Sequence, residues 1–155
     1  MTKSYTAILS SPLGLLGIQT SGAKLIRMDF LPGSHQPVSP KDAFTKQIHQ
    51  ELEFYFKNPH HRFIIPCQTD GTIFQQSVWQ ALKKIPVGTT LTYGELATHV
   101  NTSPRAIGNA CRANPIPIII PCHRVAAKNH IGGYVGKTEG TFLDIKKWLL
   151  QHEGI

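Results

Sequence analysis

The stretch "IPIIIPCHRV", residues 116–125, sets Cys122, His123 and Arg124 directly behind a run of isoleucines bracketed by prolines. A thiol becomes a strong nucleophile only after losing its proton, and imidazole is the side chain suited to take that proton near neutral pH. Cys122 with His123 therefore reads as a candidate nucleophile and base. The ordinary alternative is a small apolar core residue, which an isolated cysteine usually is. The imidazole would need a carboxylate or a water to orient it, and Glu153 is one of only four acidic residues from residue 71 onward. Metal binding is a rival use of the same residue types. Cys111, Cys122 and His123 lack the paired C-x-x-C spacing of structural zinc sites, and His60 and His61 fall in a polar loop, so no metal and no cofactor is expected. A cysteine hydrolase would use the same pair but would leave the basic charge and the helical organisation described below unexplained.

The elements around this segment must hold the thiol in place. Pro115, Pro117 and Pro121 fix backbone torsions and exclude a helix, so the isoleucine run is expected to be a stiff, buried, strand-like segment. Helix starts are written nearby in capping chemistry: Thr72 with Gln75, Thr92 with Glu95, and Thr141 with Asp144. Ser103 followed by Pro104 marks another start, because serine caps well and proline fits the first helical position. Between Thr92 and Arg112 this predicts two short helices joined by "NTS", the outline of a helix-turn-helix.

Two features of the second of these helices are unusual. Ala106, Gly108, Ala110 and Ala113 make it rich in small residues, and a helical glycine costs about 1 kcal/mol against alanine, so either close packing or close approach of a ligand is implied. Arg105 puts a cation in the first turn, against the helix dipole, which favours an external partner over helix stability as its reason.

The first third reads differently. "YTAILSS", "GLLGIQTS" and "KLIRMDF" are short apolar or alternating segments separated by turn compositions, which predicts an antiparallel meander. Phe44, Ile48, Leu52, Tyr55 and Phe56 then recur at helical spacing, so one helix packs on that sheet. "NPHHRFIIPCQTDG" is expected to be a strand ending in a linker. The domain boundary is expected near Asp70, giving an α/β (α+β) protein with domains 1–70 and 71–155.

The formal net charge is +7, with nine Lys/Arg against four Asp/Glu from residue 71 onward and seven against five before it. An anionic partner such as nucleic acid suits that balance, with the second half as the binding surface, although a modest excess of lysine is also common on ordinary surfaces. Cys67, Cys111 and Cys122 are an odd number without close pairing, which fits a reducing compartment. The opening residues carry one lysine and an apolar patch broken by Pro12 and Gly14, which fits neither a signal peptide nor a membrane span. A cytoplasmic protein is expected, nucleoid-associated if bacterial, with no membrane partner.

"GTIFQQSVWQAL", "IPVGTTLTYGELA", "RAIGNACRANP", "NPIPII" and "IPCHRV", in that order, resemble the O6-alkylguanine-DNA alkyltransferase family. The likeness is strong over residues 71–155 and looser before them, through "SPLGLLGI" and the strand and helix that follow. The resemblance implies a ribonuclease-H-like N-terminal domain and a mostly helical, winged-helix-like C-terminal domain. It implies a monomeric DNA repair protein whose Cys122 takes the alkyl group from O6 of guanine, and O4 of thymine, in one irreversible turnover. It further implies that His123 acts through a water as the base, that Glu153 orients His123, that Asn114 braces the turn before the cysteine segment, and that Tyr93 protonates N3 of the departing purine.

Double-stranded DNA would be bound through its minor groove, with Ala106, Gly108 and Ala110 permitting close approach and Arg105 filling the gap left in the base stack. Pro117, Val125, Tyr134 and the backbone of Val135 would complete the pocket. Here the sequence departs from the common pattern: many relatives carry a small or hydroxylated residue and glycines after this tyrosine, whereas this chain reads "GGYVGKTEGTFLDIKKW". Val135 offers a backbone N–H and no hydroxyl, so methyl is the expected substrate and larger groups stay open. A non-catalytic lesion-binding protein is the alternative, one that the presence of Cys122 disfavours.

Overall fold

The computed structural model describes residues 4–128, 130–134 and 141–155. The chain divides into two compact units, Met1–Thr69 and Asp70–Ile155.

In the first unit β1 (Ala7–Ser11), β2 (Gly14–Ser21) and β3 (Lys24–Leu31) form an antiparallel sheet in sequence order, with Leu9 opposite Leu16 and Ile18 opposite Met28. Gly14 closes the first turn at φ +92°, a conformation that costs glycine little. Helix α1 (Ala43–Lys57) is capped by Asp42, whose carboxylate accepts from the Thr45 backbone N–H. Its Ile48, Leu52 and Tyr55 are buried, as are Ala7, Leu16, Ile18, Leu25 and Met28 of the sheet. The expected strand after α1 is absent. Residues 61–70 run without a regular element, and only Cys67 pairs, as an isolated parallel bridge to Leu25. Pro66 contributes its carbonyl there, and a proline without an N–H cannot extend a ladder.

The second unit is mostly helical: α2 (Ile73–Lys83), β4 (Leu91–Thr92), α3 (Tyr93–His99), α4 (Pro104–Arg112), a 3-10 turn (Cys122–Arg124), β5 (Val125–Ala126) and α5 (Thr141–His152). Thr72 with Gln75 and Thr92 with Glu95 are complete capping boxes, and Ser103 caps α4 by accepting from the Ala106 N–H. α5 starts at Thr141 itself. Trp79 of α2 is buried, and its indole N–H donates to the Ala110 carbonyl at 2.9 Å, locking α2 to α4. Gly71 makes room for that ring, since a β-carbon at 71 would sit 2.7 Å from it. The chain is thus a mixed α/β protein with a small antiparallel sheet and several helices.

Candidate active site

The isoleucine run is a turn rather than a strand. Asn114, 7% exposed, accepts from the Ile116 N–H at 3.0 Å through Oδ1 and donates to the Ile120 carbonyl at 2.8 Å through Nδ2. The Ile120 N–H closes back on the Ile116 carbonyl at 2.9 Å. Ile118 lies at φ +75°, which a β-branched residue adopts only when its surroundings impose it, at roughly 1–3 kcal/mol. One side chain thus templates the loop that delivers Cys122. Asn114→Ala is expected to leave the buried Ile116 N–H unpaired and the Ile120 carbonyl with only the Cys122 N–H as donor, and to lower stability by about 1–3 kcal/mol in a denaturant titration.

Cys122 is 3% exposed and opens the 3-10 turn. Burial pushes its thiol up to about 11, opposed by a hydrogen bond with Asn114 and by the charge of Lys146. The thiol is therefore protonated at neutral pH and needs a base. His123 is fully buried, with Nε2 2.8 Å from Glu153 Oε2. A carboxylate can only accept, so Nε2 carries the proton and Nδ1 has the lone pair. Nδ1 is buried with no hydrogen-bond partner among the described residues. Burial lowers the imidazole's pKa, the Glu153 contact opposes this, and Arg124 and Lys146 reinforce it. With two cations and one carboxylate already there, a further positive charge is disfavoured, so His123 stays neutral.

Glu153, just past the end of α5, also accepts from Arg124: Nε to Oε1 at 2.8 Å and Nη2 to Oε2 at 2.9 Å. The Arg124 Nη1 donates to the Ile85 carbonyl at 2.7 Å. Reading residue types missed Arg124; its place beside the Cys-His pair was the available signal.

It missed Lys146 too. This residue is fully buried on α5, and Nζ donates to the carbonyls of Val125 at 2.7 Å, Ile131 at 2.6 Å and Gly133 at 2.9 Å. Three carbonyls match the three N–H bonds of an ammonium, and they tie the segment after Cys122 to α5. Burial pulls the Lys146 pKa down to about 8, with Cys122 and Cys111 pulling it back up. Because the folded value lies below the unfolded one, the unfolded chain binds more protons between about 8 and 10.5, and this lysine's contribution to stability rises with pH across that window. Wild type is expected to gain roughly 2 kcal/mol over Lys146→Met between pH 7.5 and 10 in paired urea titrations.

The β4–β5 ladder brings a tyrosine to this cluster. Leu91 pairs with Val125 and Thr92 with Ala126, in parallel, so Tyr93 at the first position of α3 faces the segment after the thiol. Burial raises its pKa to about 12, followed by Cys111 and Cys122, so the phenol stays a hydrogen-bond donor. A β-carbon at Gly132 would come within 3.1–3.2 Å of that ring and of the Ala127 nitrogen, so glycine lets them meet. Pro117, Val125 and Tyr134 are buried in the same unit. Val135 and the loop that follows it lie outside the described residues.

On α4, Arg105 is exposed and Ala106 and Gly108 are partly exposed, whereas Ala110 is buried under Trp79. Nothing lies within 4 Å of the position a β-carbon would take on Gly108, so internal packing does not explain that glycine. Asn109 and Arg112, also exposed, extend the outward face at helical spacing from Arg105. Among the described residues no group of three His, Cys, Asp or Glu is placed to hold a metal ion, and no helix is long and apolar enough to cross a membrane.

A buried thiol, an imidazole with a free lone pair and a helix with two exposed arginines in one unit define a protein built for cysteine chemistry. Residues 73–155 match the family model described as 6-O-methylguanine DNA methyltransferase, DNA binding domain. The methylated-DNA–protein-cysteine methyltransferase of Methanosarcina acetivorans is 40% identical over 97% of this chain and 98% of its own length. That of Haemophilus influenzae is 39% identical over 100% of this chain and 89% of its own. The crystal structure of Mycobacterium tuberculosis OGT in complex with DNA superposes with a TM-score of 0.77 at 33% identity, covering 94% of this chain and 90% of that one. The chain belongs to the methylated-DNA–protein-cysteine methyltransferase family.

Proposed function

We propose that this chain repairs DNA by moving the alkyl group from O6 of guanine, and from O4 of thymine, onto its own Cys122 in a single irreversible turnover. The observation that carries the reading is the relay behind the thiol: Glu153 fixes the proton on His123 Nε2, which makes buried Nδ1, in the residue next to Cys122, the acceptor. The Cys122 proton passes through a water to Nδ1, sulfur attacks the alkyl carbon, and the carbon–oxygen bond breaks with its electron pair going to the purine. Tyr93 donates to N3 so that the purine leaves without full negative charge. The product is a thioether, which no step reverses. Methyl transfer from DNA to a protein cysteine is what the relatives' names state, and this supports the reading.

A buried thiol reaches an atom inside a stacked duplex only if the nucleotide rotates out. We assign DNA binding to α4 in the minor groove, with Arg105 entering the stack and Ala106 and Gly108 against the groove wall; the open space over Gly108 supports this. Ala110, buried under Trp79, braces the helix from within. Pro117, Val125, Tyr134 and the Val135 backbone are assigned to the pocket, and Asn114 to bracing the loop before Cys122. Residues 1–70 are read as a ribonuclease-H-like structural domain and residues 71–155 as the winged-helix-like reactive one. Three cysteines, an odd number without close pairing in the sequence, suit a reducing compartment, and the reading is of a cytoplasmic monomer, nucleoid-associated in a bacterium.

The test is intact mass spectrometry after mixing the protein with a duplex carrying one O6-methylguanine, followed by peptide mapping. One added methyl on Cys122 is expected. Protein that binds the lesion and stays unmodified would instead be a damage-recognition protein.

A further inference from the structure

Arg124 has no part in the relay just described, yet it makes more contacts with Glu153 than His123 does. Its guanidinium spans both carboxylate oxygens, and its third nitrogen reaches the Ile85 carbonyl beyond the end of α2. Arg124 is 8% exposed and Glu153 4%, so this is a desolvated, forked pair. Glu153 Oε2 is the shared atom, accepting from His123 at 2.8 Å and from Arg124 at 2.9 Å. A carboxylate held only by His123 could turn about its terminal bond, whereas one held by the fork cannot.

We propose that Arg124 is a positioning residue for alkyl transfer: its fork holds the Glu153 carboxylate in one orientation and shares its charge, so that His123 is presented neutral, with Nδ1 free to accept the thiol proton. This rests on the alkyl-transfer reading. The groups facing His123 are Glu153 beyond α5, Lys146 on α5, and Cys122 and Arg124 on its own turn. Glu153 favours the imidazolium; Arg124 and Lys146 oppose it, in keeping with the lowered pKa of His123. Removing Arg124 gives Glu153 wholly to His123, which then holds a proton at a pH where it must accept one.

The experiment follows His123 by its ring-nitrogen NMR shifts from pH 5 to 9 in the full chain, alongside single-turnover methyl uptake from the O6-methylguanine duplex at pH 6 and pH 8. Wild type is expected to titrate His123 with a midpoint below the ordinary 6.5 and to hold it neutral above that. In Arg124→Gln the midpoint moves up toward neutral pH, and uptake falls several-fold at pH 6 with recovery at pH 8. Arg124→Lys keeps the charge without the fork, and is expected to show a smaller shift in the same direction with a several-fold loss at both pH values. Arg124→Lys decides the matter alone if the glutamine variant does not fold. A wild type that takes no methyl overturns the transfer reading before any variant is compared. A wild type that transfers, with a folded variant matching its His123 midpoint and its uptake, overturns the role of Arg124 alone.

Discussion

Cys122→Ser is expected to take up no methyl from an O6-methylguanine duplex, a loss of at least roughly 10⁴-fold in the single-turnover rate, while still binding the duplex. The substitution changes little in shape and much in chemistry. A serine hydroxyl is a far weaker acid than a thiol, and its oxygen is a harder, poorer nucleophile at a saturated carbon. The site already works against ionisation, since burial has raised the thiol to about 11, and the same burial acts on a hydroxyl. Stability should change by no more than about 1 kcal/mol, because Asn114 still offers a polar partner where it meets the thiol. Intact mass reads the transfer and electrophoretic mobility reads the binding. A serine variant that acquired methyl would move the nucleophile elsewhere, with Cys111 as the first residue to map: it is buried in α4 and close enough to Cys122 for a charge on Cys122 to oppose its ionisation.

How far such a site is legible depends on the range over which its residues act. The helix starts were readable because caps are local: Thr72 with Gln75, Thr92 with Glu95 and Ser103 with Pro104 each act within three residues. The hairpins of the first unit were readable for the same reason. The segment 116–121 departs from the strand-like expectation because proline sets φ at its own position, whereas the turn is imposed by two hydrogen bonds with Asn114, reaching two and six residues along the chain. The strand expected near residue 65 failed through a proline whose carbonyl, and not its missing N–H, makes the bond to Leu25. Glu153 was legible only because acids are scarce after residue 71 and because of the family resemblance, since it meets His123 across 30 positions. Lys146 left a signal that residue type concealed: with Leu149, Leu150 and Glu153 it falls at i, i+3, i+4 and i+7, all buried, whereas Lys147 is exposed. A lysine on such a stripe is an interior cation, and periodicity alone could have said so.

Glu153→Gln should be the most destabilising of these substitutions, by about 3–5 kcal/mol in a denaturant titration, and should also abolish efficient transfer. The carboxamide keeps the shape but presents one oxygen and one N–H₂ to three donors from His123 and Arg124, so at least one buried N–H faces another. Arg124 then carries an unpaired charge where water does not reach. A triple variant, His123→Leu with Arg124→Met and Glu153→Leu, makes the opposite case. Replacing a whole buried ionic group by apolar side chains of similar volume is often neutral, and here the expected penalty is about 1–3 kcal/mol for the Ile85 carbonyl left without its donor. The triple variant should therefore be more stable than Glu153→Gln and equally unable to transfer. That ordering would mean the network is held for its chemistry and not for the fold. Acid should probe the same network in the wild type. His123 has a folded pKa below its ordinary 6.5, so the stability it contributes is present above that value and is lost as pH falls through it towards the folded one. The triple variant, lacking the imidazole, should lose less stability between pH 7 and pH 5.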